Sequence, residues 1–513
     1  MDIRKKFAKY VSQNIFGMLG ISCYVVADTF FISKFAGADG ITVLNLVLPV
    51  FNVIFAVGSM IGVGSAIRFK ILRAKNNERA DDYFSNAIMC ACLLSIVFIL
   101  VGLFAPDRLL RLMGADDTIT ALGTCYTRTF LMFTPFFMCN YIVSAYVRND
   151  NDPSRAMIAT LCGSLFNIVF DYIFMFPMKL GLLGAAMATA ASPVCSILVC
   201  LTHFFGKNNT VVFKWHFPSL KMLWESCMLG TAAFIGEIAS AVTTTVFNML
   251  LLSITGNIGI AAYGVVANYA YIGTAIFNGI AQGTQPLISE CYGRGDRKDA
   301  ERLYRMSAAT AVALFAVIYI IVFRFTDQLV ALFNSEGVET LAVYAHSGMI
   351  IYFAGFLFAG FNIVSAGYFS AVECAKESFV VSLLRGIVLM LIMSISLSKL
   401  FGMTGVWSSF PATELITAVV CVVFFILKNN RMRKHNNIVG GYDMVNPASI
   451  MKIMNLKNKF AANHPKFVSF INYCLNGGIQ EGTVIEITVT KPGDQPVTSN
   501  MKVMQSDIDI VNE

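Results

Sequence analysis

The chain has 513 residues, of which 56% are hydrophobic and only 13% charged, with a mean hydropathy of +0.66. That much polar surface cannot cover a soluble globule of this length, so a water-soluble globular fold is excluded and lipid is the expected main solvent. The formal charge of +7 is concentrated between apolar runs, where it suits anionic lipid headgroups and calls for no nucleic-acid partner.

Twelve apolar runs follow one another, each long enough to cross roughly 30 Å of hydrocarbon as a helix. In chain order they are Ser12 to Ser33, Ile41 to Ile67, Phe84 to Phe104, Ile119 to Tyr146, Met157 to Phe176 and Leu182 to Phe205. Then come Ser226 to Leu252, Ile260 to Ile288, Met306 to Phe323, Leu341 to Ser370, Phe379 to Leu397 and Thr404 to Leu427. They are numbered here as helices 1 to 12. A β-barrel would alternate polar and apolar residues in segments of about 10, whereas these runs are continuously apolar, so helices are the expected solution. The basic start Met1 to Tyr10 leads into helix 1 without a small-residue cleavage site, which predicts an uncleaved first helix. Lys and Arg number 24 in the amino-terminal end, alternate connections and the first residues after helix 12, against 6 in the intervening connections. This asymmetry predicts that both ends are cytoplasmic.

The thirteen cysteines lie mostly singly in apolar runs, as at Cys90, Cys92, Cys195 and Cys421, and read as small buried hydrophobes. A weak internal repeat recurs at a spacing of about 220 residues. Gly37, Gly40 and Ile41 correspond to Gly256, Gly259 and Ile260, and LGLLGAA from Leu180 corresponds to FGMTGVW from Phe401. The basic segments Arg73 to Tyr83 and Tyr292 to Tyr304 match at the same offset.

Six is even, so the two halves enter the membrane in the same sense. The expected fold is therefore an all-α membrane protein of twelve transmembrane helices in two six-helix lobes, related by a pseudo-two-fold axis along the membrane normal. The first lobe covers 1–215 and the second 216–437. Residues 438–513 are polar and read as a small cytosolic α+β tail of unassigned role. It has an expected helix from Ala448 to Leu475, a turn at Gly477 and Gly478, and strands at Thr483 to Thr490 and Met501 to Val511.

A carboxylate within a membrane helix is costly unless paired, hydrated or protonated, so each marks a candidate site. Asp28 on helix 1 and Asp171 on helix 5 both count to the outer half of the membrane, and Asn167 sits one turn before Asp171 on the same face. Thr189 on helix 6 falls in the same layer. Oxygen ligands suit a hard monovalent cation, and two adjacent carboxylates in a poor dielectric are relieved equally by a proton, so this cluster is a candidate site for Na⁺ or H⁺. The alternative is that these groups only tie helices together. The repeat places Met249, Ile392 and Phe410 at the positions equivalent to Asp28, Asp171 and Thr189, so coupling is expected from the first lobe alone.

Polar stripes on other helices point to a substrate cavity. Helix 8 carries Asn268, Tyr271, Asn278, Gln282 and Gln285, helix 7 carries Glu237, Ser240, Thr244 and Asn248, and helix 2 carries Asn45, Asn52 and Ser59. Amides, a carboxylate and aromatic rings suit amphipathic or cationic organic compounds, while the competing reading is interhelical bonding. Arg385 on helix 11 and Glu414 on helix 12 are expected to pair, either as a latch or at the substrate.

These residues give the chain a resemblance to the multidrug and toxic compound extrusion (MATE) family, and to its bacterial drug-efflux branch. It is carried by VADTFFISKFAG at Val26, GVGSAIRFKILRAKNNERA at Gly62, FNIVFDYIFMF at Phe166, LGLLGAAMAT at Leu180 and AQGTQPLISECYGRGD at Ala281. The resemblance implies Na⁺- or H⁺-coupled antiport by two lobes, with a cation site at Asp28, Asn167, Asp171 and Thr189 and a helix 7 acid at Glu237. Two departures stand out. Ala74 replaces the family's usual Gly between helices 2 and 3, and no proline follows Arg385, which leaves the bending of helix 11 open. The expected protein is a monomeric plasma-membrane antiporter, with no cofactor beyond its coupling ion, that exports small organic compounds. A lipid-linked glycan flippase would want basic residues in the cavity to meet a pyrophosphate. A membrane enzyme would want a metal-binding or nucleophile motif, and none is found.

Overall fold

The computed structural model describes residues 3–206, 209–334, 338–443, 460–476, 480–491, 493 and 495–504. Among them nine helices are long and apolar enough to cross a membrane unaided. These include helices 1 (Ile3–Gly37), 2 (Thr42–Ala74), 3 (Ala80–Phe104), 5 (Pro153–Met175), 6 (Gly181–Phe204), 7 (Leu220–Thr255), 8 (Asn257–Gly293) and 9 (Arg297–Ala331). The ninth, Ala375–Leu427, is 53 residues long, about 80 Å at the rise of an α-helix. Gly402 (φ 57°, ψ −131°) breaks it into helices 11 and 12.

Helices 4 and 10 cross as bent pairs, which brings the crossings to twelve. Helix 4 joins Asp117–Met132 to Thr134–Asn149 at 45°, and helix 10 joins Glu339–Ala354 to Phe356–Ala371 at 43°. Apolar length alone does not reveal these bends. Pro135 in the first turn after the break in helix 4 withholds the donor that would continue the upstream ladder. Two other departures are local. Residues Pro106–Leu112 form a short helix between helices 3 and 4, and Leu384–Val388 form a single π-turn in helix 11. Helix 11 is thus irregular at Arg385 without a proline.

The repeat is visible in the backbone itself. Gly37 and Gly256, Asn76 and Gly295, Asn151 and Glu373, and Gly181 and Gly402 all have φ between 55° and 80°, and each pair is separated by about 220 residues. The breaks of helices 4 and 10 obey the same spacing. Each pair marks a helix junction where the chain must reverse through the left-handed region.

Two apolar cores result. The first draws on residues between Ile32 and Val211, and the second on residues between Phe247 and Cys421. The start of helix 1, through Phe7, Tyr10 and Val11, belongs to the second core. The start of helix 7, through Leu223 and Cys227, packs on the first.

The chain forms two compact units, Met1–Phe425 and Ile426–Glu513. Within the second, a helix spans Pro465–Asn476 and a two-stranded antiparallel sheet pairs Val484–Val489 with Val497–Lys502, in register from Val484↔Lys502 to Val489↔Val497. The second strand therefore precedes the expected Met501 to Val511, because the turn signal around Gly493 (φ 88°) closes a hairpin directly after the first strand. The expected Gly477–Gly478 turn, the start of the expected helix from Ala448 and residues 505–511 lie outside the described residues.

Candidate functional site

Helices 1, 5 and 6 bring the four oxygen-bearing residues of the first lobe together. Close packing of helices 5 and 6 sets the geometry: a Cβ on Gly163 would fall 2.1 Å from Ser196 Oγ, and that hydroxyl donates to the Ala159 carbonyl at 3.0 Å. Asn167 and Asp171 are fully buried and Asp28 is 8% exposed. Asn167 Nδ2 donates to Thr189 Oγ1 at 3.2 Å, and the carboxyls of Asp28 and Asp171 lie within hydrogen-bonding reach of each other.

The arrangement is short of donors. Among the described residues no base pairs with either aspartate, and Asp28 Oδ1, both Asp171 oxygens and Asn167 Oδ1 accept no hydrogen bond. Two ionised carboxylates cannot bond each other, whereas one protonated carboxyl donates to its neighbour and a bound cation neutralises both.

Two tyrosines complete the cluster. Tyr126 on helix 4 is 1% exposed, its hydroxyl is unpartnered, and it lies within electrostatic reach of Asp28 and Asp171. Tyr24 is half-buried one turn before Asp28 and lies within electrostatic reach of the same two acids. Sequence reasoning missed both. The four-residue spacing to Asp28 flags Tyr24, while nothing local to helix 4 singles out Tyr126.

The polar stripes of helices 2 and 8 grade from exposed to buried along the chain, and that of helix 7 is exposed or half-buried throughout. Asn45, Thr244, Asn268 and Tyr271 are exposed, Asn52, Glu237, Asn248, Asn278 and Gln282 are half-buried, and Ser59 and Gln285 are buried. The buried ends of the helix 2 and helix 8 stripes lie toward the contact of helix 8 with helix 1 at Gly283, and their exposed ends are the candidate lining of a cleft between the lobes. Gln285 is buried two residues from that contact. Asn268 spends an amide proton on its own helix, Nδ2 to the Gly264 carbonyl at 2.8 Å. Tyr24 and Tyr141 of the first lobe and Tyr271 of helix 8 all lie within reach of the Glu237 charge.

Arg385 and Glu414 form a buried ion pair in the second lobe. Arg385 Nη2 and Nε donate to Glu414 at 2.7 and 3.3 Å, and Asn362 Nδ2 of helix 10 donates both to Glu414 Oε2 at 2.7 Å and to the Glu414 carbonyl at 2.8 Å. Three helices converge on one carboxylate whose charge is already neutralised.

The profile of the MatE family matches residues 14–173 and 232–400. The chain is 26% identical to the multidrug export protein MepA of Staphylococcus saprophyticus over 413 residues, covering 80% of this chain and 90% of that one. It is 27% identical to MepA of Staphylococcus aureus over 425 residues, covering 82% and 92%. An outward-facing multidrug resistance MATE transporter of the MOP superfamily superposes with a TM-score of 0.79 at 22% identity, covering 85% of this chain and 97% of that structure. A MOP superfamily transporter from Pyrococcus furiosus, described as having a binding pocket of reversed polarity, gives 0.77, also at 22% identity.

Proposed function

We propose, from the premise that this chain belongs to the multidrug and toxic compound extrusion family, that it exports small amphipathic or cationic organic compounds in exchange for Na⁺ or H⁺. The chain is a multi-pass transporter of the plasma membrane and not an enzyme. Both ends are read as cytoplasmic from the basic connections. The MepA proteins are named as multidrug exporters, which supports drugs as the cargo class.

The observation that carries the exchange reading is the pair Asp28 and Asp171, buried side by side without a base. When both are ionised, repulsion in the poor dielectric favours any rearrangement that admits water or a cation. When a cation or proton is held, the lobe can close around it, with Asn167, Thr189 and Tyr126 supplying further oxygens. Loading and unloading thus differ in free energy between two conformations, and that difference is what couples the ion to the cycle. Substrate sits in the cleft against Glu237, Tyr271 and the amides of helices 7 and 8, where aromatic faces and one acid favour cations.

The test is drug efflux from vesicles holding the purified protein, driven in turn by a sodium gradient and by a proton gradient. Asp171→Asn removes charge at nearly constant volume and is expected to abolish drive from whichever gradient works. Undiminished driven efflux by this variant would refute the site.

A further inference from the structure

At the closed end of the cleft the two lobes touch in two layers. In the inner layer helices cross backbone against backbone. A Cβ on Gly64 of helix 2 would lie 1.8 Å from the Ser226 carbonyl oxygen of helix 7, and one on Gly230 would lie 1.9 Å from that of Met60. On the other side of the cleft, Gly279 and Gly283 of helix 8 lie against Ile15 and Tyr10 of helix 1, where a Cβ would meet backbone at 2.7 and 2.8 Å. Gly64 and Gly283 are counterparts in the repeat, so the two crossings are the same contact made twice.

The outer layer is charged. Arg68 of helix 2 pairs with Glu373, in the connection between helices 10 and 11, and lies 3.6 Å from Glu225 at the start of helix 7. Lys70, two residues on, meets Glu290 of helix 8 at 3.0 Å and donates to Asn151 Oδ1, also at 3.0 Å. Tyr83 of helix 3 donates to Glu225 as well. The signs divide by lobe: both bases come from the first and all three acids from the second. Glu290 is further held by Arg294 of its own lobe. Glu373 stands in the left-handed region (φ 58°), as does its repeat counterpart Asn151. Asn tolerates that conformation and Glu gains nothing local from it, so the pairing with Arg68 is the contact that offsets the strain.

We infer that Arg68 and Lys70, facing Glu225, Glu290 and Glu373, form an electrostatic latch that holds the lobes together at this end, and that its release opens the cleft here. The inference rests on the exchange of two lobe arrangements proposed above. A charged seal suits a reversible gate: when the lobes part, water rehydrates every partner, so opening costs less than exposing an equal apolar surface. The glycine crossings set how near the lobes come, and the ion pairs contribute only to the closed arrangement, so losing them shifts the population.

The test places spin labels on genetically encoded side chains at the exposed positions Lys75 and Lys298, one in each lobe, in protein reconstituted in liposomes. Pulsed electron resonance then reads the distance between them. The unaltered latch is expected to show a short and a long distance whose ratio responds to substrate or ion gradient. Arg68→Gln with Lys70→Gln is expected to move that ratio toward the long distance by about tenfold, and the swap Lys70→Glu with Glu290→Lys is expected to move it back. Gly64→Ala with Gly230→Ala, which leaves every charge in place, is expected to act like the charge loss. Distances that ignore the charge variants would overturn the latch whatever the glycine variants do, as would protein that never leaves the short distance under any gradient. Labels that shift as expected in protein that exports nothing would uphold the latch and sink the exchange reading instead.

Discussion

In the first lobe Asp28 and Asp171 are buried together with no base among the described residues and with three of their four oxygens accepting nothing, whereas in the second lobe Glu414 is buried with Arg385 and Asn362 meeting it from two other helices. Both arrangements put carboxylates in the membrane interior, and their chemistry is opposite. A carboxylate with a fixed guanidinium partner has no vacancy for a proton or a sodium ion, so it holds helices. One that faces another acid has no such partner, and the proposed exchange places the coupling ion there. Repetition of the fold without repetition of the charges leaves a tether in one half, and the coupling proposed above rests on the other.

The contrast breaks most visibly at Glu414. Glu414→Ala strands Arg385 without its partner, and the expected loss is about 3–5 kcal/mol of stability, measured by thermal unfolding in detergent. Replacing both residues by Met is expected to recover most of that loss, and a single variant as stable as wild type would remove the distinction between the lobes. Asp171→Asn is expected to do the reverse: melting stays within about 1 kcal/mol of wild type while ion-driven efflux falls to the level of empty vesicles. Glu237→Gln tests the cleft between them. The concentration giving half-maximal transport is expected to rise about fivefold for cationic compounds and to hold for neutral ones, and equal losses for both classes would argue against a direct charge contact. The smallest effect belongs to Tyr126→Phe, which removes one hydroxyl beside the aspartate pair. A change of about threefold in coupling-ion affinity is expected, and an unchanged ion dependence would place Tyr126 outside the site.

Much of this was legible in the chain because membranes simplify sequence reading. Long apolar runs fix the crossings, and the offset of about 220 residues that aligns Gly37 with Gly256 returns in the structure as matching left-handed backbone. Asp28, Asn167 and Asp171 stand out because polar groups are rare in such runs, and their convergence follows from being at one depth on neighbouring helices. The bends in helices 4 and 10 escaped notice because they leave apolar length unchanged. Tyr126 escaped because an aromatic in a membrane helix looks like any other packing residue. Arg68, Lys70 and Glu373 read as loop charges, and only the meeting of the lobes gives them partners. In the tail, a hairpin closed around Gly493 pulled the second strand earlier than its run of alternating residues suggested.

The placement of Phe7, Tyr10 and Val11 within a core otherwise built from residues beyond Phe247 bears on how the protein is made. During synthesis helix 1 is made before helix 8, so the packing site of these three residues does not exist until helix 8 has been threaded into the bilayer. The first six helices therefore wait in lipid with one end of helix 1 unsettled, and the first lobe is completed only when the second begins to arrive.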